Sequence, residues 1–381
     1  MRAVIAIDSF KGSLTSAEAG MAAADGLRRV FPEAETVIRP VADGGEGTVE
    51  ALVSGLNGRL RTIEVTDPLS RRITASYGIL PSNTAVIEMA AASGLPLLSE
   101  EERDPMHTTT FGTGELILDA ILQGCRSFII GIGGSATNDG GSGCLQALGF
   151  GLLDENGNQI DFGAEGLSRL ESINADNIIP ELRECSFRVA CDVTNPLCGD
   201  NGCSAVFAPQ KGADSEAVRI MDGYLRRYAE VTRKYAPDAS PDAPGAGAAG
   251  GMGFALMYYL NAMLVSGADL IMSETGLEAA IETADIVITG EGCLDIQTAM
   301  GKAPVCIART AKRYGKPVIA FCGAVSRGAE LLNKSGIDAY FPVLRQVITH
   351  EQAMDRTNAC NNLADTAEQV FRTIKLFSDI T

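Results

Sequence analysis

The stretch Ala3-Val4-Ile5-Ala6-Ile7-Asp8-Ser9-Phe10-Lys11-Gly12-Ser13 decides the fold class. Five apolar residues end at an aspartate, and a polar, glycine-containing loop follows. Thr15 and Glu18 then form a capping-box pattern, with apolar positions at helical spacing through Val30 and a stop at Pro32. This is a strand-loop-helix unit. Thr36 to Ile38 reads as a second strand, and the loop Val41 to Gly47 opens a helix over Thr48 to Ser54. Alternation of this kind predicts a parallel sheet.

From Arg59 to Met89 the period changes. Arg61–Val65, Ile73–Leu80 and Ala85–Met89 are short runs separated by Asp67-Pro68 and Pro81-Ser82-Asn83, the signature of an antiparallel meander. A helix over 114–123, a strand over 128–132, a helix over 143–148, a strand over 187–191 and a long amphipathic helix over 215–235 follow. Residues 236–253 are rich in Pro, Ala and Gly. Phe254 to Val265 is strongly apolar, but small residues precede it and Asp269 and Glu274 follow, so it reads as a buried helix rather than a membrane span. Alternation then returns, with strands at 286–289, 318–322 and 340–343. The expected architecture is α/β: a doubly wound parallel sheet domain from residues 1–61 plus 250–381, interrupted by an inserted mixed α/β domain at 62–249. A length of 381 residues accommodates two cores.

Composition narrows the function. The formal charge of −17 repels phosphate backbones and anionic lipid, which excludes nucleic acid and membrane surfaces as partners. Ten scattered cysteines without a Cys-x-x-Cys pair read as reduced thiols, and Met1 to Phe10 is too short an apolar run for a signal peptide, so a cytoplasmic protein is expected. His107 and His350 stand apart from each other and from any Cys/His cluster, and read as surface or packing residues rather than zinc ligands.

In an open α/β sheet the ligand crevice lies beyond the carboxyl ends of the strands. Five glycine- or small-residue-rich loops with a carboxylate fall there: Asp8–Ser13, Asp43–Thr48, Gly131–Gly141, Asp192–Pro196 and Gly290–Asp295. Backbone opened by glycine cradles phosphate oxygens. The longest loop supplies Gly133, Gly134, Ser135, Thr137, Asn138, Asp139, Gly140 and Gly141 as candidate nucleotide-phosphate residues, with Gly290 and Glu291 from the last one and Lys302 after it. Phosphoryl transfer from a nucleotide also needs Mg²⁺ on one or two carboxylates and a group that accepts the hydroxyl proton. Asp8, Asp43, Asp139, Asp192 and Asp295 are the candidates. A protein this acidic must build a locally positive crevice, and Lys11, Lys211, Lys302, Arg71 and Arg72 lie in or near turns. Gly301-Lys302 is followed by Ala303, so there is no P-loop. Gly131-Ile132-Gly133-Gly134-Ser135-Ala136 also matches the dinucleotide fingerprint G-x-G-x-x-A, with Asp154 near the distance of a ribose-binding acid, but Thr137–Gly141 would interrupt the first helical turn.

In order along the chain, six blocks resemble the type-1 glycerate kinase family: Asp8–Ser13, Pro40–Thr48, Gly133–Gly141, Cys191–Leu197, Pro209-Gln210-Lys211-Gly212-Ala213, and Thr289–Gly292 with Gln297 and Gly301-Lys302. The resemblance implies a flavodoxin-like domain carrying an inserted α/β domain, and ATP- and Mg²⁺-dependent phosphorylation of D-glycerate. It points to the 2-hydroxyl, with the 3-hydroxyl as the alternative. On chemical grounds Asp192, Lys11, Asp8 and Asp43 are expected to be catalytic, Asp139 and Asp192 to hold the metal, and Ser9, Glu46, Arg71, Lys211 and Asp295 to meet the substrate, in a cleft between the two domains whose closure excludes water. A homo-oligomer stays open, as do two rival readings: an NAD-dependent hydroxy-acid dehydrogenase and a non-catalytic sensor of small acids.

Overall fold

The computed structural model describes residues 1–42 and 44–378. In chain order the strands are β1 Arg2–Ile7, β2 Glu35–Ile38, β3 Arg59–Thr66, β4 Arg72–Ile79, β5 Thr84–Glu88, β6 Ser127–Gly131, β7 Gly151–Leu153, β8 Ser172–Asn174, β9 Ser186–Ala190, β10 Met263–Val265, β11 Ile286–Leu294, β12 Val318–Val325 and β13 Ala339–Pro342. They divide between two units, each with its own core.

The first unit holds β1, β2 and β11 to β13 in the order β13-β12-β11-β1-β2, with every pairing parallel. Counted within the unit, this is the flavodoxin-like order 2-1-3-4-5. β1 and the first half of β11 are apolar runs buried on both faces, as parallel strands covered by helices require. The helix Ser16–Arg28 starts at the expected capping box: Thr15 accepts from the Glu18 amide while Glu18 accepts from Thr15. Its apolar face packs on Ile5, Ile7 and the helix Arg356–Ser378, with Leu27, Leu363 and Phe371 in the shared core. Phe31 meets Phe371 edge-on at 6.5 Å.

The second unit comprises Gly44–Val49 and Gly58–Gly267. Its sheet runs β10-β9-β6-β5-β4-β3; β10, β9, β6 and β5 are parallel, and β4 and β3 complete the antiparallel meander. The C-terminal limit of this unit lies at Gly267 rather than at 249, because Met263–Val265 pairs with Arg188–Ala190 and so stays with the inserted sheet. The apolar run from Phe254 is therefore not one helix to Val265. The helix Ala248–Tyr259 ends it, and β10 follows. Among the described residues no helix is long and apolar enough to cross a membrane.

The helix Ala248–Tyr259 begins with a kink. Ala249, Gly250 and Gly251 all have positive φ, and a Cβ on Gly250 would lie 2.1 Å from the Thr137 carbonyl oxygen. The Gly140 amide donates to the Gly250 carbonyl at 2.9 Å. Glycine is required at position 250 by both its φ and the close approach of the 137–140 backbone.

Candidate active site

Two groups of residues gather at carboxyl edges of parallel sheets, one in each unit. In the first unit a cavity of about 460 Å³ opens beside the ends of β1 and β11, where the strand order reverses. Asp8, Ser9, Lys11, Glu291, Asp295 and Lys302 supply its polar wall. Phe10, Val343, Leu344 and Met354 supply an apolar one. The location follows from the topology: a doubly wound sheet leaves a crevice at its switch point.

The polar wall is ordered by its own hydrogen bonds. Asp8 follows β1, whose pairing with β11 extends to a hydrogen bond from the Asp8 amide to the Gly290 carbonyl at 2.8 Å. The Asp8 carboxylate accepts from the Ser9 amide at 2.6 Å. Glu291 is buried; its Oε1 accepts from Thr298 Oγ1 at 2.5 Å and its Oε2 lies 3.6 Å from Lys302 Nζ. Asp295 caps the short helix Ile296–Ala299 by accepting from the Thr298 amide at 2.9 Å. Burial pushes the Asp295 carboxyl up, but the Thr298 amide and the Lys302 ammonium outweigh it and hold the group below the usual carboxylate range. Lys302 is also the residue from which the helix Ala303–Arg313 starts, so that helix's positive end lies beside it.

The segment Gly290–Asp295, expected as a loop, is mostly strand. β11 continues to Leu294, with Cys293 opposite Ala324 and Leu294 opposite Val325. Gly290 is therefore inside the sheet, opposite Ile7 and Phe321, and a Cβ there would lie 2.0 Å from the Phe321 carbonyl oxygen. Its backbone serves the ladder and is not a phosphate cradle. His350, read from sequence as a surface or packing residue, lines this cavity.

In the second unit, β5, β6 and β9 end at Glu88, Gly131 and Ala190. The segment Gly44–Val49 crosses those ends. A Cβ on Gly131 would lie 2.4 Å from the Gly44 carbonyl oxygen, and one on Gly44 would lie 2.5 Å from Ala190 Cβ. Glu88 fastens this segment by accepting from the Val49 amide at 2.7 Å. Burial, with Glu46 nearby, pushes the Glu88 carboxyl above its usual range although backbone amides oppose it. Asp192 is exposed, and its Oδ1 accepts from the Gly267 amide at 3.1 Å. Glu46 is also exposed. Asp43 lies outside the described residues.

The long loop after β6 divides in two. Gly133 and Gly134 form an exposed tip, whereas Ser135 to Gly141 are buried. Asp139 is fully buried. Its Oδ2 accepts from the Thr110 amide, Thr110 Oγ1 and the Gly143 amide, and its Oδ1 accepts from the Gly141 amide. Burial pushes its carboxyl up against those donors. A carboxylate enclosed by four donors has no face for a cation, so the metal role expected of Asp139 is corrected to that of an internal organiser. Thr137, Asn138, Gly140 and Gly141 are likewise interior, and burial corrects their expected place on the phosphates.

Two cations expected at the substrate are committed elsewhere. Lys211 is 2% exposed and donates to Ser135 Oγ at 2.7 Å and the Thr137 carbonyl at 2.6 Å. Arg71 bridges Asp67 and Glu102 at 2.5 and 2.7 Å. Sequence reasoning missed Glu88 and Thr110, because neither lies in a glycine loop. Their only signal is position: Glu88 ends an apolar strand and Thr110 precedes a helix.

A flavodoxin-like sheet whose switch-point cavity pairs two lysines with carboxylates and an apolar wall defines a doubly wound α/β protein with a ligand crevice at its carboxyl edge. The comparisons give the particular family. A model described as the glycerate kinase family matches residues 3–375. The chain is 48% identical to the Glycerate 2-kinase of Escherichia coli (strain K12) over 377 residues, 99% of this chain and 98% of that protein. It is 45% identical to the Glycerate kinase of Bacillus subtilis (strain 168), over 99% and 98% of the two chains. The crystal structure of a candidate glycerate kinase 2 from Salmonella typhimurium LT2 superposes with a TM-score of 0.92 at 45% identity, covering 100% of both chains. This chain belongs to the glycerate kinase family and is a phosphotransferase with an alcohol group as acceptor.

Proposed function

We propose that the protein transfers the γ-phosphoryl group of ATP to the 2-hydroxyl of D-glycerate, giving 2-phosphoglycerate and ADP, in the cytoplasm. The observation that carries the nucleotide half is the switch-point cavity, which places Lys11 and Lys302 on the same wall as Asp8 and Asp295 and sets an apolar surface beside them. The purine rests on Phe10, Val343, Leu344 and Met354. Lys11 and Lys302 bind phosphate oxygens, supplying the local positive charge that a chain of −17 lacks overall. The 2-position is supported by the printed name of the Escherichia coli relative, a Glycerate 2-kinase.

Among the described residues no three His, Cys, Asp or Glu side chains are grouped to hold a metal by themselves. That fits Mg²⁺ in a kinase, which takes one or two carboxylates and completes its shell with water and phosphate oxygens. Asp8 and Asp295 are the oxygen donors of the cavity that would hold it, and Mg²⁺ when bound neutralises phosphate charge. Asp192 accepts the proton of the glycerate hydroxyl, its carboxylate oriented by the Gly267 amide. The exposed backbone of Gly133 and Gly134 offers amide donors to a phosphoryl oxygen.

A coupled assay of ADP release tests this reading. ADP should form only when ATP, Mg²⁺ and D-glycerate are all present. Absence of glycerate-dependent ADP contradicts the proposal.

A further inference from the structure

Lys211 lies in the second unit, at the end of the short turn Pro209–Lys211, with its ammonium in the interior. The two acceptors of that ammonium, Ser135 Oγ and the Thr137 carbonyl, flank Ala136, directly after the exposed Gly133-Gly134 tip. The tip and the residue between the two acceptors are tied down as well: the Leu95 amide donates to the Gly134 carbonyl at 2.9 Å and the Ala136 amide to the Ser93 carbonyl at 2.9 Å. An apolar side chain would fill the same volume without the cost of burying a charge. What an ammonium adds is a set of directed donors that fix the orientation of a particular stretch of backbone.

We propose that Lys211 is a positioning residue for phosphoryl transfer, bracing Ser135 and Thr137 so that the Gly133-Gly134 backbone is presented in one fixed shape to the transferring group. This rests on the kinase reading given above. Lys211 touches neither substrate nor nucleotide and acts through Ser135 and Thr137. Burial lowers the pKa of the ammonium to about 8, with the buried Cys203 and Asp139 opposing that shift. Misplacing a reacting group by about 1 Å costs about a hundredfold in rate, so a loosened brace is read in kcat.

The test compares wild type, Ser135→Ala, Lys211→Met and the double variant by kcat, by KM for ATP and D-glycerate, and by melting temperature. Expected are a fall in kcat of about tenfold or more for each single variant with little change in either KM, a melting temperature for Ser135→Ala near that of wild type, and a double variant no slower than Lys211→Met. Wild-type kcat in either single variant overturns the proposal, as do multiplicative losses in the double variant. A loss confined to KM or to melting temperature assigns Lys211 a purely structural role and overturns it too. Should Lys211→Met fail to fold, Ser135→Ala decides alone, by whether kcat falls while the melting temperature holds. Wild-type protein that turns over no D-glycerate contradicts the kinase reading itself, and this proposal with it.

Discussion

The Glu88 carboxylate, at the end of β5, accepts a hydrogen bond from the Val49 amide at 2.7 Å, and so anchors the Gly44–Val49 segment across the carboxyl edge of the inserted sheet. This relationship joins two stretches of sequence that share no motif. It also has a pH signature.

Because burial raises the Glu88 pKa in the folded state, its contribution to stability is fully present below the unfolded value of about 4.3 and is lost as pH rises through the raised folded value. Glu88→Gln keeps an acceptor for Val49 and removes the ionisation. Its melting temperature should therefore gain on that of wild type as pH goes from about 4 to 7. A difference that stays constant with pH contradicts the assignment.

Asp192→Asn retains an oxygen for the Gly267 amide but cannot accept a proton. The variant should fold with an unchanged melting temperature and lose about a hundredfold to ten-thousandfold in kcat. Near-normal turnover removes Asp192 from the mechanism.

Lys302→Met deletes the ammonium that sits 3.6 Å from Glu291 in the cavity wall and leaves the buried carboxylate without it. Calorimetric titration should show ATP affinity reduced by about 10- to 100-fold, the range of a lost charge-assisted hydrogen bond. Unchanged affinity would separate the cavity from the nucleotide.

Gly250→Ala places a Cβ against the Thr137 carbonyl oxygen at a φ of 68°. Strain of about 1–3 kcal/mol adds to the clash, so urea denaturation should show a loss of more than about 2 kcal/mol. A loss below about 0.5 kcal/mol contradicts the packing described for the kink.

Much of this architecture is legible in the chain because local rules and tertiary demands agree. The Thr15–Glu18 capping box, the amphipathic helix Ser215–Tyr235, and the strand-helix alternation at both ends follow from spacing alone. The boundary at Gly267 was hidden, because Met263–Val265 carries no alternation and becomes a strand only by pairing with β9. At the site, residues after strands were found where the strand really ends, as at Asp8. Gly290 misled because pairing with β12 carries β11 past the glycine. Burial was the main thing letters could not give. The polar run Thr137-Asn138-Asp139 looks like a solvated phosphate loop, yet it is interior: Thr110 holds the Asp139 carboxylate, Lys211 takes the Thr137 carbonyl, and Gly250 of the kinked helix Ala248–Tyr259 takes the Gly140 amide just after it.

The central claim, phosphoryl transfer from ATP to the 2-hydroxyl of D-glycerate, is tested most directly by phosphorus NMR of the product mixture from purified protein, ATP, Mg²⁺ and D-glycerate. The account predicts the resonance of 2-phosphoglycerate growing in step with that of ADP. A 3-phosphoglycerate resonance in its place, or an ATP spectrum that does not change, would contradict it.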